Sequence, residues 1–252
     1  MKLEHIFDRH HVAALQFSGG KDSLACLWLL ERFWTRMHVV WANSGDAFPE
    51  TVALMNRVRD MVPHFIEVRS DQPSQIKEFG FPTDVLPVRN HPGVMHVLHP
   101  HPRPPLQSFY ACCRDNLWTP MQQKLDQLGA TLIIRGQRTS EVQHSPVRSG
   151  DILDGIEYLF PIEDWTGDQV REYVAAKPLG LPAHYAYVDT SLDCMHCTGH
   201  LFENIGKRRY MAEKHPDQHA EVSRRLEVIS NEIAGDVRHL DAARAAPERT
   251  VH

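Results

Sequence analysis

The sequence has no apolar run long enough to span a membrane, and its first eleven residues are too polar and charged for a signal peptide. It also lacks an excess of basic residues. The net charge of −5 at pH 7 argues against a broadly basic nucleic-acid-binding surface, although a local basic groove remains compatible with it. The five cysteines are few and odd in number, which argues against a framework of structural disulfides. These absences predict a cytoplasmic protein without membrane contacts.

Two common phosphate-binding loops are missing as well. A Walker A loop would need glycine and Ser or Thr at the positions of Leu15 and Asp22. No Gly-x-Gly-x-x-Gly follows the first apolar run, Val12 to Phe17. The segment that follows it instead is Ser18-Gly19-Gly20-Lys21-Asp22-Ser23, and the apolar residues after that segment recur at helical spacing.

This strand, glycine-rich turn and helix start predict an anion site. Glycines let the backbone N–H groups converge on one point, and the helix dipole adds about half a positive charge there. Ser18 and Ser23 can donate hydroxyl groups, and Lys21 supplies a cation. The expected ligand is therefore a phosphate chain.

Apolar runs and helical periods alternate along the rest of the chain. They predict an α/β fold, in which a parallel twisted sheet has helices on both faces and a helical C-terminal segment follows. We expect a nucleotide-binding domain over residues 1–200, a helical extension over 201–235 and a flexible tail over 236–252. Residues 80–108 are rich in proline and histidine and predict a long loop of the kind that forms lids or binding segments. Its histidines, expected to face solvent, are His91, His96, His99 and His101.

Four of the five cysteines form two pairs. Cys112 and Cys113 are adjacent, and Cys194 and Cys197 form a Cys-x-x-Cys. Four thiolates can hold zinc or an iron–sulfur cluster, and spacing alone does not choose between these two or exclude disulfides. The fifth, Cys26, lies among leucines and is expected to be a small core residue.

Several of these segments resemble one superfamily. The Ser18–Ser23 segment resembles the PP-loop of ATP pyrophosphatases, the adenine-nucleotide alpha-hydrolase group. The cysteine pattern is similar to the 4Fe-4S signature of the phosphoadenosine phosphosulfate (PAPS) reductase family, which includes adenylylsulfate reductases and the ATP pyrophosphatases of DNA phosphorothioation. Three further segments match family elements in order: Ser44-Gly45-Asp46-Ala47-Phe48-Pro49-Glu50-Thr51, Ile134-Arg135-Gly136-Gln137-Arg138 and Pro161-Ile162-Glu163-Asp164-Trp165-Thr166.

The resemblance implies ligands and residue roles. A 4Fe-4S cluster would be held by Cys112, Cys113, Cys194 and Cys197, and the PP-loop would hold the phosphates of ATP with Mg²⁺. Adenine would meet Asn43, Ser44 and Gly45, although the family usually has aspartate at position 43. Gly136, within a substrate element, is implied to bind the nucleotide as well, and the residues implied as catalytic are Lys21, Asp22 and Arg138. A surface ion pair with Glu141 is the competing interpretation of Arg138.

The departures from the family favour one activity. A sulfonucleotide reductase uses a C-terminal cysteine nucleophile, but no cysteine follows Cys197 in the sequence. Lys21 and Asp22 are intact in the loop, which suits expulsion of pyrophosphate. The leading hypothesis is an ATP pyrophosphatase that adenylates an acceptor, a nucleic acid or a small molecule, for sulfur from a cysteine persulfide donor. The alternatives are a reductase that uses a thioredoxin-like partner and a non-catalytic adenine-nucleotide-binding module; a homodimer is left open.

Overall fold

The computed structural model describes residues 3–87, 90, 106–140, 146–201 and 205–245. The chain forms two compact units. Met1–Asp71 and Arg114–Met195 form the first, and Gln72–Cys113 and His196–His252 form the second. This division differs from the predicted limits at 200 and 235, because the chain leaves the first unit at Gln72 and returns to it at Arg114. The four loop histidines at 91, 96, 99 and 101 lie outside the described residues.

The strands and helices have the following bounds. The strands are β1 (Ala13–Gln16), β2 (Met37–Asn43), β3 (Phe65–Arg69), β4 (Phe81–Thr83), β5 (Leu106–Ser108), β6 (Leu132–Ile134), β7 (Ile152–Leu153) and β8 (Ile156–Leu159). The α-helices are α1 (Leu3–Phe7), α2 (Lys21–Leu29), α3 (Pro49–Met61), α4 (Gln72–Phe79), α5 (Phe109–Cys113), α6 (Thr119–Leu128), α7 (Gly167–Ala175), α8 (Ile205–Lys214) and α9 (Pro216–Ala245). Short 3₁₀ segments span Glu31–Arg36 and Ala183–Ala186, and a π-helical turn spans Arg114–Trp118.

A six-stranded sheet in the order β3-β2-β1-β6-β8-β7 forms the centre of the first unit. Neighbouring strands are parallel, except that β7 pairs antiparallel with β8 at one edge. The strand order reverses beside β1, whose neighbours are β2 and β6. In open parallel sheets such a reversal opens a crevice at the carboxyl ends of the strands, and ligands bind there.

Successive residues of the central strands face two separate cores. Leu15 of β1 packs with α2, α3 and α7 on one face, whereas Ala14 packs with Leu125 of α6 on the other. Because both faces are covered, β1 has three consecutive buried apolar residues, Ala13, Ala14 and Leu15, instead of an alternating pattern. The predicted α/β fold with helices on both faces of a parallel sheet is confirmed.

Local signals determine where several helices begin. Pro49 occupies the first turn of α3, where its fixed φ and missing N–H suit a helix start. Thr166 and Gln169 form a reciprocal capping box at the start of α7. The last helix, α9, continues to Ala245, so the prediction of a flexible tail from residue 236 is wrong up to that point. Residues 236–245 contain three alanines and two arginines, which favour helix.

The second unit contains a parallel pair of three-residue strands, β4 and β5, together with α4, α5, α8 and α9. The sequence predicted only loop over these strands. The Asp84 carboxylate accepts the backbone N–H groups of His200 and Leu201 at 2.7 Å, and Thr198 Oγ1 donates to the carbonyl of Pro82 at 2.6 Å. In the part of the chain that the structure describes, no helix is both long enough and apolar enough to cross a membrane.

Glu157 of β8 is expected to make stability depend on pH. It is buried, and its carboxylate lies 2.8 Å from both Arg9 Nη2 and His10 Nε2. Burial alone would raise its pKa, but the hydrogen bonds and charges of Arg9 and His10 outweigh burial, so the pKa lies below its usual value. The stabilisation is therefore complete above the pKa of the unfolded glutamate and is lost as the pH falls through the lower, folded value.

Glu157→Gln should accordingly be less stable than the parent at pH 7, and the difference should shrink in acid. Thermal unfolding of both proteins from pH 7 to pH 3 measures this difference in stability. Glu172→Gln, at an exposed position on α7, is the control. A difference that stays constant over this pH range would contradict the assignment.

Candidate active site

The Ser18–Ser23 loop follows β1 and leads into α2, as predicted. Gly19 has a positive φ of 78°, and Gly20 is the extended N-cap residue of α2. Ser23 Oγ donates to the carbonyl of Gly20 at 2.9 Å and lies 3.3 Å from Ser18 Oγ. The loop is therefore a tight turn whose hydroxyl groups converge at the N-terminus of the helix.

Three charged side chains predicted to be catalytic come together on this loop. Lys21 Nζ lies 2.7 Å from one Asp22 carboxylate oxygen, and Arg138 Nε donates to the other at 2.7 Å. Lys21 and Arg138 are both buried. Both cations therefore meet Asp22 beside the N-terminus of α2, where the helix dipole favours an anion. Glu141, the competing partner of Arg138, lies outside the described residues.

Gly136 is where the loop after β6 touches the start of α2. A Cβ atom added to Gly136 would lie 2.6 Å from the carbonyl carbon of Asp22 and 2.8 Å from the backbone nitrogen of Ser23. Backbone atoms cannot yield at such a distance, so this position requires glycine. The close approach fixes Arg138, two residues later, against Asp22.

The side chain of Asn43 stabilises the turn after β2 through two hydrogen bonds. Its side-chain oxygen accepts the Gly45 N–H at 3.0 Å, and its amide nitrogen donates to Glu67 at 2.7 Å. Gly45 has a φ of 85°, which suits glycine. Asn43 therefore shapes this turn, and a contact with adenine remains a prediction.

A cavity of about 750 Å³ lies at the carboxyl ends of β1, β2 and β6. The predicted site residues among those that line it are Ser18, Ser44, Gly136 and Cys194. Trp118 is 50% exposed and lines this cavity because the π-helical turn presents it there. Trp165 packs against the core.

Tyr185 covers the remainder of the loop, although no local sequence pattern predicts this role. Its hydroxyl oxygen accepts the Lys21 N–H at 2.7 Å, and the residue is buried. A Cβ atom at Gly20 would lie 3.0 Å from Ser191 Cβ and 3.1 Å from the Tyr185 hydroxyl. Burial raises the pKa of Tyr185, so the group is a neutral phenol at pH 7. This cover explains why Ser18 is the one loop residue that lines the cavity among the described residues.

The four paired cysteines are divided between the two units. In the first, Cys194 Sγ lies 3.1 Å from Ser44 Oγ, and Cys194 forms a β-bridge with Ala47. In the second, Cys113 Sγ lies 3.9 Å from His200 Nε2, and Cys197 is partly exposed. Among residues 3–87, 90, 106–140, 146–201 and 205–245, no three His, Cys, Asp or Glu side chains are grouped to hold a metal ion. The 4Fe-4S cluster stays a prediction.

The fold and the loop define an α/β protein with a glycine-rich turn and a cavity at the strand-order reversal of a parallel sheet. The chain belongs to the phosphoadenosine phosphosulfate reductase domain family, whose profile matches residues 12–200. It is 26% identical over 186 residues to phosphoadenosine 5'-phosphosulfate reductase of Proteus mirabilis (strain HI4320), covering 72% of this chain and 67% of that protein.

A comparison of structures found a phosphate complex of phosphoadenylyl-sulfate reductase from Candida auris. The two chains share 17% identity, with 73% of this chain and 82% of the other covered and a TM-score of 0.46.

Proposed function

We propose that this protein cleaves ATP between its α and β phosphates and adenylates an acceptor that subsequently receives sulfur. The observation that supports this most is the junction of Lys21, Asp22 and Arg138 at the N-terminus of α2. It places two buried cations where the phosphate chain would lie. A nucleotide-binding protein that only recognised adenosine would have no use for them.

The proposed chemistry is a displacement at the α phosphorus. An oxygen of the acceptor bonds to this phosphorus, the bond to the bridging oxygen of the β phosphate breaks, and pyrophosphate leaves with the electron pair. Negative charge grows on the leaving oxygens, and Lys21 and the helix N-terminus would stabilise it. The described residues hold no group of three potential metal ligands, so Mg²⁺ would arrive bound to the nucleotide.

The state of the remaining thiol disfavours the alternative, a sulfonucleotide reductase. Cys26 is the one cysteine of the sequence outside the two pairs, and it is fully buried. Burial, followed by the negative charge of Asp22, raises its pKa, so Cys26 is not a thiolate at neutral pH. The similarity to phosphoadenosine 5'-phosphosulfate reductase of Proteus mirabilis favours the reductase. That activity would need a thiol from a thioredoxin-like partner.

Product analysis separates these functions. The purified protein is incubated anaerobically with Mg²⁺ and ATP, and in parallel with adenylylsulfate or PAPS plus reduced thioredoxin. We expect AMP and pyrophosphate from ATP, with water as the default acceptor. Sulfite from either sulfonucleotide, with ATP left intact, would support the reductase. Binding of ATP without turnover, with every acceptor tried, would support the non-catalytic module.

The Tyr185 hydroxyl should compete with the nucleotide phosphates for the backbone N–H group of Lys21. Tyr185→Phe removes the acceptor, so the free protein should lose about 1–3 kcal/mol of stability from a buried, unsatisfied N–H. A phosphate oxygen would restore the hydrogen bond, so ATP should bind the variant more tightly than the parent. Thermal unfolding and ATP titration measure the two effects, with Tyr173→Phe of α7 as the matched control. Weaker ATP binding by the variant would show that Tyr185 assists the phosphates instead of covering their site.

A further inference from the structure

A histidine of the second unit lies beside one of the four cysteines predicted to bind the cluster. The Nε2 atom of His200 is 3.9 Å from Cys113 Sγ, within hydrogen-bonding range for sulfur. Both residues belong to the second unit, and both are partly exposed. An imidazole N–H group can donate a hydrogen bond to a thiolate sulfur. The pair therefore joins a donor to a predicted cluster ligand.

The position of the His200 ring is fixed by three local contacts. The backbone N–H groups of His200 and Leu201 both donate to the Asp84 carboxylate at 2.7 Å. The backbone of His200 has a positive φ of 56°, which is uncommon for a residue other than glycine. Its ring lies 4.3 Å from the Phe109 ring, measured between centres, at a tilt of 59°. Strained backbone of this kind persists where surrounding contacts hold it, often beside a ligand.

The packing of the second unit fits ligation of a cluster by its cysteines. Helix α5 carries Cys112 and Cys113, and the segment 196–201 carries Cys197. A Cβ atom added to Gly199 would lie 2.6 Å from Phe109 Cβ, so the backbone of this segment packs directly on α5. Each thiolate of a cluster binds a different iron, whereas the ligands of a single ion surround one point. The absence of a group of three such ligands among the described residues therefore counts against a single ion only.

We propose that His200 donates a hydrogen bond from Nε2 to the Cys113 thiolate and thereby raises the reduction potential of the predicted 4Fe-4S cluster. When bound, such a cluster can accept one electron, and the added electron increases the negative charge on its sulfur ligands. An N–H donor stabilises this reduced state more than the oxidised state, so reduction becomes easier. His200 is thus a residue that tunes the cluster without being its ligand. The inference rests on the predicted cluster and is independent of the proposed ATP cleavage.

The test compares the anaerobically purified parent with two variants that differ by one methylene group. The side-chain amide nitrogen of His200→Gln can reach the position of Nε2, whereas that of His200→Asn ends one bond short of it. Asparagine also tolerates a positive φ, so His200→Asn should fold. We expect His200→Asn to lower the equilibrium constant for one-electron reduction about 10-fold, or about 59 mV, and His200→Gln to recover most of this loss. Spectroscopic titration with dithionite measures the potentials, and His239→Asn, exposed on α9, is the control.

A merely structural role for His200 gives a different pattern. A ring that only packed against Phe109 would be replaced by neither amide, so both variants would keep the parent potential or lose the cluster equally. Either result would overturn the proposal, as would equal shifts in both variants. A parent protein without the visible absorption of an iron–sulfur cluster would overturn it too. If ATP gave no AMP or pyrophosphate while the potentials shifted as expected, only the proposed function would be refuted.

Discussion

Lys21→Met should lower the rate of pyrophosphate release from ATP by about 100- to 1000-fold, the range found when one donor to a developing negative charge is removed. The Lys21 ammonium is buried beside Asp22 at the start of α2, so no water-exposed cation can take its place without rearrangement. ATP affinity should fall less, because the backbone N–H groups of the loop remain. Steady-state rates and ATP titration separate these two effects.

The variant should fold normally, since Asp22 keeps its hydrogen bond with Arg138. Circular dichroism and thermal unfolding check this. Lys77→Met, at an exposed position on α4, serves as the matched control and should retain the parent rate. Full activity in Lys21→Met would mean that the loop does not stabilise the leaving pyrophosphate.

Gly136→Ala should impair both stability and activity. The new methyl group would lie within 2.8 Å of three backbone atoms of Asp22 and Ser23, so α2 or the loop after β6 must move. Overpacking of this kind costs about 1–3 kcal/mol. Because the movement separates Arg138 from Asp22, pyrophosphate release should be lost even in the fraction that remains folded. Urea unfolding and rates normalised to folded protein measure both effects.

Gly235→Ala provides the opposite outcome within the same chain. Gly235 lies inside α9, and the nearest atom to an added Cβ is the end of the Arg238 side chain at 3.9 Å. Alanine there should stabilise by about 0.5–1 kcal/mol and leave activity unchanged. If Gly136→Ala behaved like Gly235→Ala, the close contact between the two loops would not exist in solution.

Predictions from the sequence were most accurate where local signals determine structure. The first apolar run, Val12 to Phe17, contains β1. The Ser18–Ser23 turn also lies between its strand and helix as predicted, since glycine and helix-start patterns involve neighbouring residues. The resemblance located the family correctly, because its elements occur in order over residues 12–200.

Long-range contacts were not predictable in the same way. Tyr185 lies 164 residues from Lys21, and nothing in its own neighbourhood indicates that its hydroxyl caps that N–H. The strands β4 and β5 are three residues long and pair across a proline-rich segment, so no alternating pattern shows them. Arg135 stood next to a recognised motif residue, but only the folded chain shows that its Nε is buried in a cavity wall without a partner among the described residues.

The most direct test uses ATP labelled differently in its α and γ phosphates, incubated with the purified protein and Mg²⁺. The account predicts that the α label is recovered in AMP and the γ label in pyrophosphate, and that Lys21→Met abolishes both. Release of the γ label as inorganic phosphate with formation of ADP would contradict it. So would sulfite production from a sulfonucleotide by a protein that leaves both labels in ATP.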